Sequence, residues 1–349
     1  MTIAKSLSRI APLCIVPLLA GCDLLVLNPP GDVARQQGDL VVTATLLMLI
    51  IIVPVIALTL LFAWRYRASN PNATYKPDWD HSTQLELIIW AAPLLIIIAL
   101  GAITWITTHT LDPYRPIARI KEGQPVPADA KPLVIEAVSL DWKWLFFYPE
   151  QGIATVNEIA VPIDRPVQFK LTSATVMNAF YVPAFAGMIY TMAGMETQLH
   201  GVMNEVGVYE GFSSHYSGAG FSQMRFRFHG VSDADFDGWI ARVKASEQTL
   251  SREQYLQLAK PSVGEPVHYY GSADPTLYHA ILNMCVTPGA LCMDKMMMID
   301  AGHLPRPSSG PGNESHGGHE SHEDHAEHAA EMHDAAQADG MPAEHAHHH

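Results

Sequence analysis

Residues 213–224 have the spacing of a dinuclear copper site but lack most of its ligands. Such a site needs two thiolates four residues apart, an imidazole four residues later and a thioether three residues beyond that, because soft sulfur and imidazole donors bind copper. At these positions the chain has Ser213, Ser217, Phe221 and Met224. Serine hydroxyls stay protonated near neutral pH and are poor soft ligands. We therefore expect no metal at this segment.

The composition indicates a membrane-associated chain without a nucleic-acid partner. The 349 residues are 48% hydrophobic and only 16% charged, and the apolar excess lies near the N-terminus. The formal net charge of -14 argues against the basic face that a nucleic acid would require.

The N-terminus has the features of a lipoprotein signal peptide over residues 1–21. Lys5 and Arg9 precede an apolar run that ends in LAGC at residues 19–22, which resembles the lipobox of bacterial lipoproteins. This resemblance implies that Cys22 becomes the lipidated first residue of the mature chain. An ordinary signal peptide followed by a chance cysteine is the alternative.

Two transmembrane helices are predicted, over residues 40–63 and 86–108. Both segments are uncharged over most of their length, and about 20 apolar residues suffice to cross a bilayer. The loop between them, residues 64–85, carries three basic residues, Arg65, Arg67 and Lys76. The positive-inside rule places this loop in the cytoplasm. The N-terminal segment (22–39) and everything after a linker at 109–131 are then periplasmic. A pair of buried core helices is the alternative.

Residues 132–245 are predicted to form an all-β sandwich. Three segments alternate between apolar and polar residues: 134–144, 167–171 and 224–228. Such alternation is typical of strands with one buried face, and short strands separated by Pro and Gly indicate a sandwich. The alternation places Trp142 and Trp144 on the same face of one strand.

Three motifs carry a resemblance to a known family. They are DWKWLFFYPEQGIATVNE at 141–158, MAGMET at 192–197 and YSGAGFS at 216–222. Together with two spans and a cupredoxin-like sandwich, they resemble subunit II of the haem–copper terminal oxidases, in the quinol-oxidase branch of cytochrome bo-type ubiquinol oxidases. The resemblance runs from about residue 22 to about residue 275.

The resemblance implies a complex that oxidises quinol, reduces O₂ to water and pumps protons across the bacterial inner membrane. The expected partners are an oxidase subunit I that carries haems and copper, smaller membrane subunits III and IV, and membrane lipid. Quinol is expected to bind through subunit I. This chain is expected to bind no cofactor, because quinol reaches the membrane-embedded haem subunit directly and a copper relay then has no task.

The resemblance also assigns the positions of the missing copper ligands. In cytochrome c oxidases of this superfamily the ligands are two His, two Cys, a Met and the backbone carbonyl of a Glu. In that order, these ligands correspond here to Asn178 and Phe221, Ser213 and Ser217, Met224, and His215. One imidazole and one thioether cannot hold two copper ions, so we expect His215 to be exposed or packed and Met224 to fill the core.

Glu86 lies at the start of the second span, five residues after His81. An ionisable group at a membrane boundary is a candidate functional residue. In the resembled family a glutamate here sits at the cytoplasmic mouth of a proton pathway into the catalytic subunit. The alternative is an interfacial acid favoured by the N-terminus of a helix.

An aromatic-rich, partly helical extension is predicted over residues 246–304. Its tyrosines are Tyr255, Tyr269, Tyr270 and Tyr278, and we expect them to pack against the complex. Cys285 and Cys292 lie in a periplasmic region, where they could form a disulfide or remain two free thiols. The tail, residues 305–349, holds ten of the 18 histidines, and its composition predicts disorder with or without weak metal binding.

The predicted fold class is therefore a membrane-anchored, two-helix transmembrane hairpin, an all-β cupredoxin-like sandwich, a short helical extension and a disordered His-rich tail. The predicted function is that of a quinol-oxidase subunit II with structural, assembly and proton-entrance roles. Two alternatives stay open: a cytochrome c oxidase subunit II, and a periplasmic metal-binding or chaperone lipoprotein that acts through its His- and Met-rich tail.

Overall fold

The structure is a computed structural model that describes residues 25–74 and 77–305. The predicted signal peptide, the lipidation candidate Cys22, the loop residue Lys76 and the His-rich tail from residue 306 onward lie outside the described residues.

Two long apolar helices come first, α1 (Asp32–Arg65) and α2 (Thr83–Thr110). Both are long and apolar enough to cross a membrane. Their large apolar side chains are exposed, with Leu60 at 66% and Trp90 at 78%. A helix that is apolar on all sides and unburied by protein is suited to lipid. Helix α1 begins about two turns before the predicted span, so its first residues extend beyond the apolar part.

The part of the chain after α2 is built mainly from short strands. In chain order they are β1 (Arg119–Lys121), β2 (Gln124–Pro125), β3 (Leu133–Leu140), β4 (Lys143–Tyr148), β5 (Ile153–Val156), β6 (Glu158–Pro162), β7 (Val167–Ser173), β8 (Asn178–Val182), β9 (Ala186–Thr191), β10 (Thr197–Gly201), β11 (Gly207–Ser213), β12 (Arg225–Val231), β13 (Thr249–Leu250), β14 (His268–Tyr270) and β15 (Ser272–Ala273). The helices among and after them are α3 (Asp233–Lys244), α4 (Arg252–Leu258), α5 (Leu277–Leu282) and α6 (Met293–Asp300).

Two sheets face each other. One has the strand order β10-β7-β3-β4-β5-β14 and the other β6-β12-β11-β8-β9. The pairs β3–β7 and β6–β12 are parallel, and the remaining pairs in these sheets are antiparallel. The predicted sandwich is therefore present.

Aromatic rings fill the space between the sheets. Trp144 is fully buried, and its ring lies 5.4 Å from Phe180 and 5.8 Å from Phe226, both edge to face. Phe180 and Phe226 stack on each other at 5.3 Å. Each buried ring removes about 150–250 Å² from water, so these contacts dominate the stability of the sandwich.

The predicted single strand over residues 134–144 is wrong. The structure divides it between β3 and β4, which are joined by a tight turn in which Trp142 has a φ of 66°. Trp142 and Trp144 therefore do not share one strand. The turn is stabilised by a distant contact, because Nε1 of Trp142 donates a hydrogen bond to the carbonyl of Ser217 at 3.1 Å.

The outer face of the larger sheet is covered by the C-terminal extension. Val138, Leu145 and Phe147 pack on this face against residues of α4 and α5. All six residues of β4 are buried as a result, so the expected pattern of one buried face fails there. Tyr255, Tyr270 and Tyr278 of the extension are buried within this same chain. Our expectation that these tyrosines pack against the complex is therefore wrong for these three.

A helix lies where only strands were expected. Helix α3 falls within residues 132–245 and begins after Ser232, whose side chain accepts a hydrogen bond from the backbone N–H of Asp235. Asp233 in the first turn and Lys244 in the last turn complement the helix dipole. The sequence carries these signals, which the strand-based interpretation missed.

Candidate functional site

The end of β11 and the loop after it carry five of the six positions that correspond to copper ligands, and the sixth, Asn178, is on the neighbouring strand β8. Asn178 begins β8 and Ser213 ends β11, and the two neighbouring strands place them side by side. Both side chains are buried, and Oγ of Ser213 lies 3.1 Å from Oδ1 of Asn178. The same hydroxyl lies 3.2 Å from the carbonyl oxygen of His215. A single serine proton can be donated to one of these acceptors at a time, so the hydroxyl joins an amide and a backbone carbonyl in a polar cluster.

The remaining positions are closed in by packing. Met224 is fully buried and belongs to the core between the sheets. Phe221 is partly buried and packs edge to face against Tyr216 at 5.6 Å. Oγ of Ser217 is buried and has no hydrogen-bond partner among the described residues.

Trp142 covers this loop from the turn between the first two long strands. A Cβ on Gly220 would lie 2.4 Å from Cδ2 of Trp142, so only glycine allows the indole to approach this closely. Gly218 has a φ of 114°, a conformation that side chains other than glycine rarely adopt. The two glycines therefore let the loop fold tightly under an aromatic lid.

The donor set at this loop does not fit dinuclear copper. It consists of two hydroxyls, an amide, one thioether and the imidazole of His215, which packs against the ring of Tyr190 at 5.8 Å. Copper in a dinuclear relay is held by thiolates and imidazoles, and this loop has no thiolate. Within residues 25–74 and 77–305, no three His, Cys, Asp or Glu side chains are grouped as metal ligands would be.

Glu86 lies at the other end of the molecule. It is in the first turn of α2, and Oε1 lies 2.7 Å from Nδ1 of His81, with half of the Glu86 side chain exposed. Helix α2 is about 42 Å long at 1.5 Å per residue, so Glu86 and the copper-position loop are on opposite sides of the apolar span. The structure does not bring these two candidate regions together.

Comparisons with known proteins agree with the architecture described above. Residues 136–231 match the family described as cytochrome c oxidase subunit II, periplasmic domain, and residues 244–289 match the COX aromatic rich motif. The cytochrome bo(3) ubiquinol oxidase subunit 2 of Pseudomonas aeruginosa is 51% identical over 284 residues, covering 81% of this chain and 83% of the relative. The chain belongs to the ubiquinol oxidase subunit 2 family.

A second relative agrees with this assignment. The ubiquinol oxidase subunit 2 of Acetobacter aceti is 48% identical and covers 79% of this chain and 87% of the relative. Among solved structures, the periplasmic domain of cytochrome oxidase subunit II from Bradyrhizobium japonicum aligns with a TM-score of 0.31 at 25% identity, over 34% of this chain and 94% of that one. The family, the two apolar helices with the cupredoxin-like sandwich, and the oxidase-subunit function are confirmed, and the two alternative functions are not favoured.

The chain contains a buried ionic network that the sequence did not reveal. Glu158 on β6 is only 5% exposed. It accepts hydrogen bonds from the phenol of Tyr269 and, at 3.4 Å, from the indole of Trp239. Nε2 of His229 lies 3.5 Å from Oε2 of Glu158. The pKa of Glu158 is lowered to about 2, and the interaction with His229 is the largest cause. The hydrogen bond from Tyr269 lowers this pKa further, whereas burial acts to raise it.

A second titratable cluster lies beneath helix α5. Glu136 on β3 is directly opposite Lys170 on the parallel strand β7. Burial raises the pKa of Glu136 to about 7, with Lys170 opposing the shift and Glu196 adding to it. Glu196 in turn lies 4.0 Å from Nζ of Lys170 and accepts a hydrogen bond from the phenol of Tyr278 at 3.3 Å.

A buried lysine fixes the start of the segment that leads to β14. Lys143 is 1% exposed and donates to the carbonyl of Lys260 at 2.8 Å and to the hydroxyl of Ser262. The carboxylate of Glu265 lies 3.9 Å from Nζ of Lys143, and burial lowers the pKa of Lys143 in spite of this carboxylate.

The two cysteines of the extension form a disulfide bond. Cys285 and Cys292 are joined with their Cα atoms 4.7 Å apart.

Proposed function

We propose that this chain is the copper-free subunit II of a quinol-oxidising, O₂-reducing complex of the bacterial inner membrane. Its partner is a subunit I that carries haems and copper and that receives electrons from quinol, with smaller membrane subunits III and IV. The observation that carries the proposal is the polar cluster of Asn178 and Ser213, which stands where copper ligands would be. A lipid-soluble donor needs no periplasmic metal relay, whereas a soluble cytochrome does.

The periplasmic domain then acts as a rigid cover and assembly element for subunit I. The extension supports this role, because it buries its own aromatic residues on the outer face of the larger sheet. Two layers of packing stiffen that sheet, and polar anchors such as Lys143 tie the layers together. A stable surface of this kind suits a subunit that assembles with its partner and carries no redox centre.

The proposed lipid anchor at Cys22 is supported by the path of the first described residues. The carbonyl oxygen of Val26 lies 2.7 Å from the position that a Cβ on Gly38 would occupy, so the segment before α1 folds back along that helix toward the membrane. Cys22 is three residues before Leu25, and three residues of extended chain reach about 10 Å. Acyl chains on Cys22 could therefore enter the periplasmic leaflet beside α1, where each buried CH₂ contributes about 0.8 kcal/mol.

We further propose that Glu86 admits protons from the cytoplasm to a pathway in subunit I. The carboxylate is half exposed, lies at the cytoplasmic end of α2, and is paired with His81 at 2.7 Å. Carboxylate and imidazole both exchange protons readily with water. Such a pair collects protons at the membrane boundary and passes them inward.

The test is purification of the intact complex in a mild detergent. We expect a haem-bearing partner on the gel, O₂ consumption driven by quinol, and no O₂ consumption driven by reduced soluble cytochrome c. Copper should match the requirement of the partner alone, with no near-infrared copper band. The intact mass of this subunit should show the loss of residues 1–21, acyl additions at Cys22, and two hydrogens fewer than the dithiol form of Cys285 and Cys292.

Turnover with soluble cytochrome c, or extra copper that remains with this subunit, would overturn the proposed function. An unmodified N-terminal Met1 or an unacylated Cys22 would overturn the anchor without affecting the rest.

A further inference from the structure

Two adjoining cavities lie where the transmembrane helices meet the periplasmic domain. The upper cavity, of about 270 Å³, has a polar lining that includes Asp32, Gln36, Asp112, Arg115, Arg119 and His200. The lower one, of about 320 Å³, runs between α1 and α2 past Leu40, Thr43, Ile103 and Thr107. Gln36, Thr110, Leu111 and Arg119 line both. A polar chamber thus opens directly into a groove between the two helices. Asp39 lies at the upper end of this groove, and Leu40, Thr43, Ile103 and Thr107 line it below.

The depth of the chamber corresponds to lipid headgroups. The apolar run of α1 starts at Leu40, and Gln36 lies four residues before it, which is about 6 Å farther out at 1.5 Å per residue. On α2, Thr110 lies about 8 Å beyond Trp105 by the same rise. The headgroup layer of one leaflet is about 5–8 Å thick. The groove below it lies within the hydrocarbon.

The chamber carries balanced charge. Two arginines, Arg115 and Arg119, face two aspartates, Asp32 and Asp112. The buried Asp32 accepts hydrogen bonds from Nε of Arg119 at 2.9 Å and from Nε2 of Gln36 at 2.8 Å. The terminal nitrogens of Arg119 make no hydrogen bond within the described part of the chain. Guanidinium groups with free donors bind phosphate oxygens well.

A hydrogen-bond acceptor is also available in the chamber. Nδ1 of His200 lies 3.0 Å from the carbonyl of Pro113, which can only accept, so Nδ1 carries a proton. In the neutral ring Nε2 is then an acceptor. Together with the carboxylate of Asp112, it suits an ammonium group.

We propose that this chamber and groove bind one phospholipid of the periplasmic leaflet, with a phosphate and a primary ammonium in its headgroup. Arg115 and Arg119 bind the phosphate, and Asp112 and His200 bind the ammonium group. An acyl chain follows the groove between α1 and α2. Balanced charge disfavours a purely anionic headgroup. The inference requires that α1 and α2 cross a bilayer, and it does not depend on which electron donor the complex uses.

The test uses the intact complex in lipid nanodiscs with phosphatidylethanolamine that carries a photoreactive acyl chain. After illumination, peptides of this subunit are mapped by mass spectrometry. We expect labelling of peptides that span residues 36–43 and 103–119. The same experiment with photoreactive phosphatidylglycerol should label these peptides at least about fivefold less.

Two variants and two matched controls sharpen the result. Arg115→Gln removes a phosphate ligand, and Thr43→Phe fills the groove; each should lower labelling at least about fivefold. Arg242→Gln removes an exposed arginine on α3, and Thr45→Phe places the same ring at nearly the same depth on another side of α1. Neither control should change labelling, and all four variants should keep quinol-driven O₂ consumption.

Several results would overturn the proposal. Equal labelling in each variant and its control would show that the lipid contacts the helices without a site. Equal labelling by phosphatidylglycerol would remove the charge-balance argument. Displacement of the label by a short-chain quinone would assign the cavity to quinone, and crosslinks that join only partner-subunit peptides to residues 36–43 would show that protein fills it.

Discussion

The phenol of Tyr269 donates a hydrogen bond to Glu158, and this bond connects the aromatic-rich extension to the sandwich. Glu158 begins the strand that pairs in parallel with β12, while Tyr269 lies on the edge strand of the other sheet. The indole of Trp239 on α3 reaches the same carboxylate oxygen. One buried carboxylate therefore holds three separate segments of the periplasmic domain together.

Removal of the phenol should loosen the extension. We expect Tyr269→Phe to lower the free energy of unfolding by about 1.5–3 kcal/mol, because it deletes a hydrogen bond to a buried charge. The measurements are thermal unfolding and the rate of proteolysis within residues 246–304. Tyr216→Phe is the control, since Tyr216 is 72% exposed. Equal effects of the two substitutions would contradict the role of the bond.

The same variant should change the response to acid. The pKa of Glu158 is lowered to about 2, first by His229 and further by Tyr269. A carboxylate with a lowered pKa in the folded state contributes stability that is present above its unfolded value, 4.5, and is lost as the pH falls toward 2. Without the hydrogen bond from Tyr269 the folded-state pKa of Glu158 rises toward 4.5, so this contribution to stability should be smaller and its loss in acid should be complete at a higher pH.

The contribution of Glu136 to stability should have the opposite pH dependence to that of Glu158. Burial raises its pKa from 4.5 to about 7, so the folded state binds more protons between these values. Its contribution to stability is complete below pH 4.5 and is lost as the pH rises through 7. We expect Glu136→Gln to be more stable than the natural protein at pH 8, by on the order of 2 kcal/mol. At pH 4 the two should be nearly equal.

Melting temperatures measured from pH 4 to pH 8 test this expectation. Glu150→Gln is the matched control, because Glu150 is exposed in the turn after β4. A Glu136→Gln curve parallel to that of the natural protein would contradict a carboxyl that titrates near neutral pH.

The sequence predicted the two apolar helices and the sandwich because each has a local pattern. Uninterrupted apolar runs give α1 and α2, and fixed spacing locates Ser213 and Met224. The contacts made by the extension could not be predicted in this way. The alternation in β3 and β4 implies one buried face, but the other face is covered by Tyr270 and Tyr278, more than 100 residues later. The alternation of residues along a strand does not indicate that a segment distant in sequence packs on its outer face.

Trp142 and Glu158 show the same limit at single positions. A tryptophan with positive φ is unusual, and here a hydrogen bond to the carbonyl of Ser217 and a pair of glycines stabilise it. Glu158 has no local signal of burial, because its partners come from three other elements. In both cases tertiary contacts override the preference of the local sequence.

Restoration of the missing ligands should restore copper binding. The loop already places the hydroxyl of Ser213 within hydrogen-bond distance of both Asn178 and the carbonyl of His215, and Met224 is retained in the buried core. We expect the variant Asn178→His, Ser213→Cys, Ser217→Cys, Phe221→His to bind about two copper ions, with thiolate-to-copper absorption bands. The natural protein should bind none at this loop.

A variant one thiolate short is the control for the copper experiment. It carries the same changes except Ser217→Cys, so it keeps both introduced imidazoles, one thiolate and the thioether of Met224. Elemental analysis and the absorption spectrum should show the dinuclear bands in the complete variant alone. Their absence from a folded complete variant would mean that the loop has lost the geometry as well as the ligands.

Glu86 gives the last prediction. The carboxylate pairs with His81 at the end of α2 that we propose to face the cytoplasm, where a negative charge attracts protons and raises their local concentration. We expect Glu86→Ala to slow quinol-driven O₂ consumption by as much as about tenfold while the complex assembles normally. Asp80→Asn is the control, because it removes an exposed carboxylate from the segment just before α2. Turnover of the two variants is measured at several pH values to separate proton supply from general surface charge. Because free protons become scarce as the pH rises, a rate loss in Glu86→Ala that grows with pH supports a role in proton entrance. Identical rates for both variants would assign Glu86 to the helix terminus alone.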